Sequence, residues 1–471
     1  MIRIGTGRNR RADIDMTQGS IVGRLLTFAA PLLLGNLFQQ LYNMVDTWVI
    51  GQTGVDAAYA AVGSVAPIIN ILIGFFLGLS SGAGVIISQY YGAKDEKGVR
   101  AAVHVSMALT ILLAAVFTVL GMLSTPLMLR MMLHGADQSE VYPYARSYLL
   151  IYFAGVSGLM IYNMGSGILR AIGDSRHPFY FLLASAASNV ALDLLFVFVL
   201  QMGVAGVALA TVLAQLLSAL LTLFVLLRTD SCVRLRPKEM HLERAMLRRI
   251  AWIGFPAALQ MALTAFSNVF VQSYISGVDV SRYVETDNPG TAALGGWTTY
   301  SKLDQLIFLP IQSLSLATTT FVGQNLGCGN TARARRGTRT AWAMASAVTL
   351  LVMFPLLRFA APLASVFNSS PDILGVAVVL IRRITPFYLF SCVNQVYSAA
   401  LRGAGQSRAP MFIMLSSFVG FRQLYLFAMT RFISNDLVAV AFGYPAGWGC
   451  CCIITLLYYF THRNRLKRII D

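Results

Sequence analysis

Three carboxylates, Asp46, Asp193 and Asp304, stand inside long apolar stretches, where a charge near a bilayer centre costs on the order of 3 kcal/mol. Such a group is a candidate for ion chemistry until a structural partner is found for it. Tyr42 and Asp46 are one helical turn apart, as are Asn189 and Asp193, so each pair shares a helix face. Asp46, Asp193 and Thr211 fall at similar depth in their segments. Together these residues offer carboxylate, amide, phenol and hydroxyl oxygens. Two carboxylates held close in a low dielectric cannot both stay ionised cheaply, so the set is expected to take up a proton or to hold a sodium ion. The competing reading is that Asp46 and Asp193 merely cap or hydrogen-bond neighbouring helices.

A second polar group comprises Lys302 and Asp304 in one apolar segment and Arg422 in another. Residues two apart do not share a helix face, so Asp304 is expected to pair with Arg422 rather than Lys302, either structurally or in gating or substrate binding. Pro31 and Pro256 lie within segments long enough to span a membrane, where each removes a backbone hydrogen bond and can kink the helix. Pro31 shares its segment with Asp46, which makes it a candidate hinge. Gly74, Gly78, Gly82 and Gly84 approximate a small-residue packing seam. The five histidines show no HExxH spacing and the six cysteines no CxxC pair, so catalysis and metal binding find little support beyond sodium at the carboxylate set.

The elements that must position these groups follow from composition. Hydrophobic residues make up 56% of the 471 and charged residues only 12%, against about 25% charged in soluble domains. Apolar runs of membrane-spanning length are expected near 25–50, 56–88, 100–124, 143–172, 178–200, 204–228, 250–277, 290–325, 338–360, 373–401, 408–430 and 437–460. The first follows Arg8, Arg10 and Arg11 but is too long and polar for a cleaved signal. The net charge of +16 does not point to nucleic acid, because the cations cluster between apolar runs. Lys94, Lys97 and Arg100, Arg170 and Arg176, the stretch 228–249, and Arg333, Arg335, Arg336 and Arg339 all fall in even-numbered loops. By the positive-inside rule those loops, and both termini, are cytoplasmic.

Internal repetition sharpens this plan. The run from Leu169 to Pro178, LRAIGDSRHP, recurs from Leu401 to Pro410 as LRGAGQSRAP, and Gln89 and Gly92 are answered by Gln324 and Gly327. The fold class is therefore all-α and polytopic, about twelve transmembrane helices in two parallel six-helix repeats. The expected divisions are an N-terminal tail (1–22), a first lobe (23–228), a cytoplasmic linker (229–249), a second lobe (250–461) and a C-terminal tail (462–471). Aligning the halves sets Val271 opposite Asp46, Tyr425 opposite Asp193 and Gly443 opposite Thr211, so the carboxylate set belongs to the first half alone.

The order of these motifs resembles the multidrug and toxic compound extrusion family, and more closely its DinF-like branch. The resemblance is carried by Pro31 with Tyr42-Asn43-Met44-Val45-Asp46, by Gln89-Tyr90-Tyr91-Gly92-Ala93, by the two LRxxG repeats, and by Gly254-Phe255-Pro256, Lys302-Leu303-Asp304 and Gly323-Gln324-Asn325. It implies a V-shaped pair of lobes around a central cavity, with proton or sodium influx driving export of organic, often cationic or amphipathic, compounds. It also implies that Tyr42, Asp46, Asn189, Asp193 and Thr211 form the cation site, that Asn163 belongs to its surroundings, and that Pro31 is its bending proline. The sequence departs from the sodium-coupled branch: Gln260 and other neutral residues fill the corresponding part of the seventh segment, and the tenth has no Asp or Glu.

The expectation is thus a secondary transporter of the bacterial inner membrane rather than an enzyme. It would need no cofactor beyond its coupling ion, and would work as a monomer on a small organic substrate within the lipid bilayer. A flippase for lipid-linked precursors is the rival, favoured by a strongly cationic cavity. A membrane-embedded transferase would need an acid, base or metal constellation that the sequence does not supply.

Overall fold

The computed structural model describes residues 14–52, 55–132 and 140–462. Within them the apolar runs fold as helices α1 (Ile21–Gly51), α2 (Asp56–Gly92) and α3 (Glu96–Met132). The bent α4 (Tyr142–Ala154 and Val156–Ala171), α5 (Arg176–Val199) and α6 (Gly203–Arg228) complete the first lobe. The second lobe comprises α7 (Arg244–Ser276), α8 (Pro289–Gly327), α9 (Thr331–Arg358), α10 (Pro371–Gly403), α11 (Arg408–Ile433) and α12 (Leu437–His462). Eleven of these are long and apolar enough to cross a membrane, and the bent pair makes a twelfth. The helices run longer than the apolar runs because their ends project as polar turns: α7 starts at Arg244, inside the expected linker. The expected C-terminal tail after His462, with its basic anchors, and residues 1–13 lie outside the described residues.

The repeat folds the same way twice. In each copy the helix ends on a glycine with left-handed backbone, Gly173 at φ 95° and Gly405 at φ 76°, the conformation that suits a residue without a side chain at a helix C-terminus. Gly173 N–H donates to Arg170 O and Asp174 N–H to Leu169 O; Gly405 N–H donates to Arg402 O and Gln406 N–H to Leu401 O. Arg170 and Arg402 are thereby fixed in equivalent places at the ends of α4 and α10. Arg170, one of the cations assigned above to a basic loop, belongs like Arg402 to the last helical turn.

The lobes meet along the halves of their helices nearest the basic loops. Gly78 and Gly82 of α2 lie against Ala258 and Gly254 of α7 so closely that a Cβ at either glycine would overlap backbone; the seam is an interface between lobes. Two hydrogen bonds cross reciprocally at this end: Gln89 Nε2 donates to Gly403 O at 3.0 Å, and Gln324 Nε2 donates to Ala171 O at 2.9 Å. Each repeated glutamine thus binds the opposite lobe's LRxxG turn. Residues 14–19, expected as free tail, instead strap this junction. Ile14 N–H donates to Gly173 O, the fully buried Met16 donates its N–H to Gln324 Oε1, and Asn325 Nδ2 donates to Met16 O.

Candidate functional site

Asp46 comes from the C-terminal part of α1, and Asp193 is the last α-helical residue of α5 before its π turn. A π-helical turn, Leu194–Val199, follows Asp193 directly; such turns insert a residue into the helical register and recur at functional sites. The second lobe carries its own π turn, Ser416–Phe421, immediately before Arg422. α4 bends by 47° between Ala154 and Val156 and lays Tyr148 and Tyr152 against the same region.

In the first lobe, side chains from α1, α5 and α6 come together. The Asp46 carboxylate meets the side chains of Asp193 and Thr211. Asp193 and Asn189 are fully buried, and both side-chain polar atoms of each lack a hydrogen-bond partner among the described residues, as does Asp46 Oδ1. Thr211 Oγ1 donates to Val207 O at 3.0 Å and lies beside the Asp46 carboxylate. Tyr42 lies nearby, against Gln39 and within electrostatic range of Asp46. Asn163 stands apart from the carboxylates: its Nδ2 donates to Leu159 O at 2.9 Å, and it shares with Tyr42 and Pro31 the lining of a cavity of about 200 Å³.

Three contributors escaped the sequence reading. Tyr148 faces Asp46, Asp193 and Thr211, and Tyr152 contacts Gln215, whose Oε1 is buried without a partner. Tyr148 with Tyr152 and Thr211 with Gln215 have the same one-turn spacing that singled out Tyr42 with Asp46, and that spacing was the available signal.

The expected pairing of Asp304 with Arg422 does not form. Asp304 Oδ1 instead accepts from Tyr300 Oη at 3.1 Å, one turn earlier on its own helix, and Tyr300 Oη lies 3.3 Å from Tyr388 Oη. Arg422, turned toward α7 after its π turn, donates to Ser267 Oγ at 2.8 Å and Asn268 Oδ1 at 2.9 Å, with its guanidinium 4.8 Å from the Tyr444 ring centre. Lys302 projects elsewhere, its ammonium 5.5 Å from the Phe367 ring. Local partners win because each is supplied by the residue's own helix or by the nearest packed one.

Between the lobes, just above the reciprocal glutamine contacts, lies a cavity of about 350 Å³. Its apolar lining includes Met261, Phe308, Met414 and Phe418, and its ionisable residues are Arg170 and Arg402. Arg170 also borders the first-lobe cavity that holds Tyr42 and Asn163.

Two six-helix repeats around a central cavity, with two carboxylates brought together in one lobe, define a polytopic membrane transporter. The MatE family profile matches residues 31–195 and again 256–425, once in each lobe, and the chain belongs to that family. It is 28% identical to the "Probable multidrug resistance protein YpnP" of Bacillus subtilis, over 94% of this chain and 96% of that protein. It is 25% identical to the "FAD transporter" of Shewanella oneidensis, over 75% of this chain and 76% of that one. Among solved structures, one described as the outward-facing conformation of a multidrug resistance MATE transporter superposes with a TM-score of 0.87. That match covers 96% of this chain and 98% of the other at 23% identity.

Proposed function

We propose that this protein is a proton- or sodium-driven antiporter that exports amphipathic organic compounds across a bacterial plasma membrane, with both termini and the basic loops cytoplasmic, working as a monomer. The observation that carries this reading is the Asp46–Asp193 contact: the half-buried Asp46 meets the fully buried Asp193, and three of their four carboxylate oxygens are enclosed without a hydrogen-bond partner among the described residues. A proton shared between the two, or a cation held by them with Thr211 and Asn189, supplies the missing positive charge. The lobes join at the basic end, so the carboxylates are loaded from the opposite side. Loading draws α1 toward α5, and Pro31, which deprives the Thr27 carbonyl of its usual donor, gives α1 the place to bend. Transport then requires that ion and substrate bind the two conformations unequally. Multidrug export enters through the relative from Bacillus subtilis and its printed name.

The test is gradient-driven efflux of a dye panel from proteoliposomes, under an imposed pH gradient and separately a sodium gradient. Asp46→Asn and Asp193→Asn are each expected to lower the driven rate at least about a hundredfold, the lower end of proton-transfer contributions. Full driven transport by both variants overturns the site.

A further inference from the structure

The cation-lined floor of the central cavity is at odds with a cationic cargo. Arg170 and Arg402 are its ionisable lining residues, and no Asp or Glu lines it or the adjoining first-lobe cavity. Neither guanidinium has a carboxylate or a hydrogen-bond acceptor among the described residues; Arg170 lies within electrostatic range of the Tyr162 phenol. Arg402 is only 6% exposed. Their places at the ends of α4 and α10 let helix carbonyls offset part of the charge, but two unpaired cations facing one cavity remain costly until a counter-charge arrives.

We infer that the inter-lobe cavity binds organic anions, with a carboxylate, sulfonate or phosphate held by Arg170 and Arg402 and an apolar body lying on Met261, Phe308, Met414 and Phe418. Guanidinium groups match such oxyanions in charge and in bidentate geometry. The two methionines give the apolar wall the adaptability needed for varied ligands, and about 350 Å³ is within the range of small-molecule sites. Position adds a consequence. Ala171 and Gly403, whose carbonyls accept the cross-lobe bonds of Gln324 and Gln89, directly follow the two arginines, so an anion at this floor adjoins the contacts that close the basic end.

This inference rests on the transport reading, and the experiment separates the two. Proteoliposomes under an imposed gradient are given carboxyfluorescein as soluble anion, rhodamine 6G as cation, and fluorescent phosphatidylglycerol as lipid-borne phosphate. Wild-type protein is expected to move an anionic probe, and the arm that responds distinguishes a free anion from a lipid headgroup. Arg170→Gln and Arg402→Gln should each raise KM for that probe about tenfold or more, with saturating turnover little changed, and Arg→Lys should restore much of the loss. Movement of rhodamine 6G alone, or anion transport indifferent to both Arg→Gln variants, overturns the anion site and leaves the transporter standing. Failure to move any probe by protein that is monodisperse overturns both.

Discussion

Burying Asp193 beside Asp46 without a donor costs stability, because an unpaired polar group in an apolar interior loses its hydration for nothing in return. At the residue scale this makes the two carboxylates a place where stability has been given up for function. Asp46→Asn puts an amide N–H opposite the Asp193 carboxylate and removes one of two like charges. It is therefore expected to raise the unfolding temperature of the detergent-solubilised protein by about 2–5 °C while abolishing most gradient-driven transport. Thermal unfolding followed beside transport checks it, and a fall in both would show Asp46 to be a structural residue. The same scale explains Asp304, whose bond to Tyr300 was within reach of the sequence as a one-turn spacing, but lost out there to a more distant charge.

Helix α2 owes its role to where its small residues point. Gly78 and Gly82 admit the α7 backbone, whereas a Cβ on Gly84 would meet only the Gly167 carbonyl at an ordinary 3.5 Å. At the element scale, then, Gly78 and Gly82 are the two intolerant positions of the seam, while Gly74, where a Cβ would meet Met261 at 3.4 Å, and Gly84 have room for one. Gly78→Val is expected to destabilise the lobe junction by about 1–3 kcal/mol, as overpacking does, and to cut the yield of monodisperse protein several-fold. Gly84→Ala should behave as wild type in yield and in its size-exclusion profile. Equal behaviour of the two variants in size-exclusion profiles would mean the seam does not hold the lobes together.

Reciprocity between the lobes is a property of the whole molecule. Gln89 and Gln324, each bound to the other lobe's repeat turn, close the basic end together with the Ile14–Met16 strap. Hydrogen bonds of this kind contribute about 1 kcal/mol each, so losing both shifts the balance between conformations about thirtyfold. Spin labels can be placed at the exposed Trp48 and Phe270 positions, on α1 and α7, in a background without native cysteines. Gln89→Ala with Gln324→Ala is expected to add a shorter distance population between them. A distance distribution identical to wild type would remove these bonds from the gate.

Much of this architecture is written in local pattern. Apolar run length, loop charge and the LRxxG repeat determine the helix count and the twofold plan, because spanning a bilayer imposes the same length and backbone bonding on every segment. One-turn spacing and matched depth likewise brought Tyr42, Asp46, Asn189, Asp193 and Thr211 together. Only the tertiary structure decided which partner each polar group took: Asp304 with Tyr300, Arg422 with Ser267 and Asn268, the glutamines with opposite turns, and Met16 between the lobes. It also moved Arg170 from a basic loop to a cavity wall. A membrane helix fixes the depth of a side chain by its position in sequence, but the direction it faces depends on the rotation, bend and π turns that packing sets, and charge partners are chosen by direction.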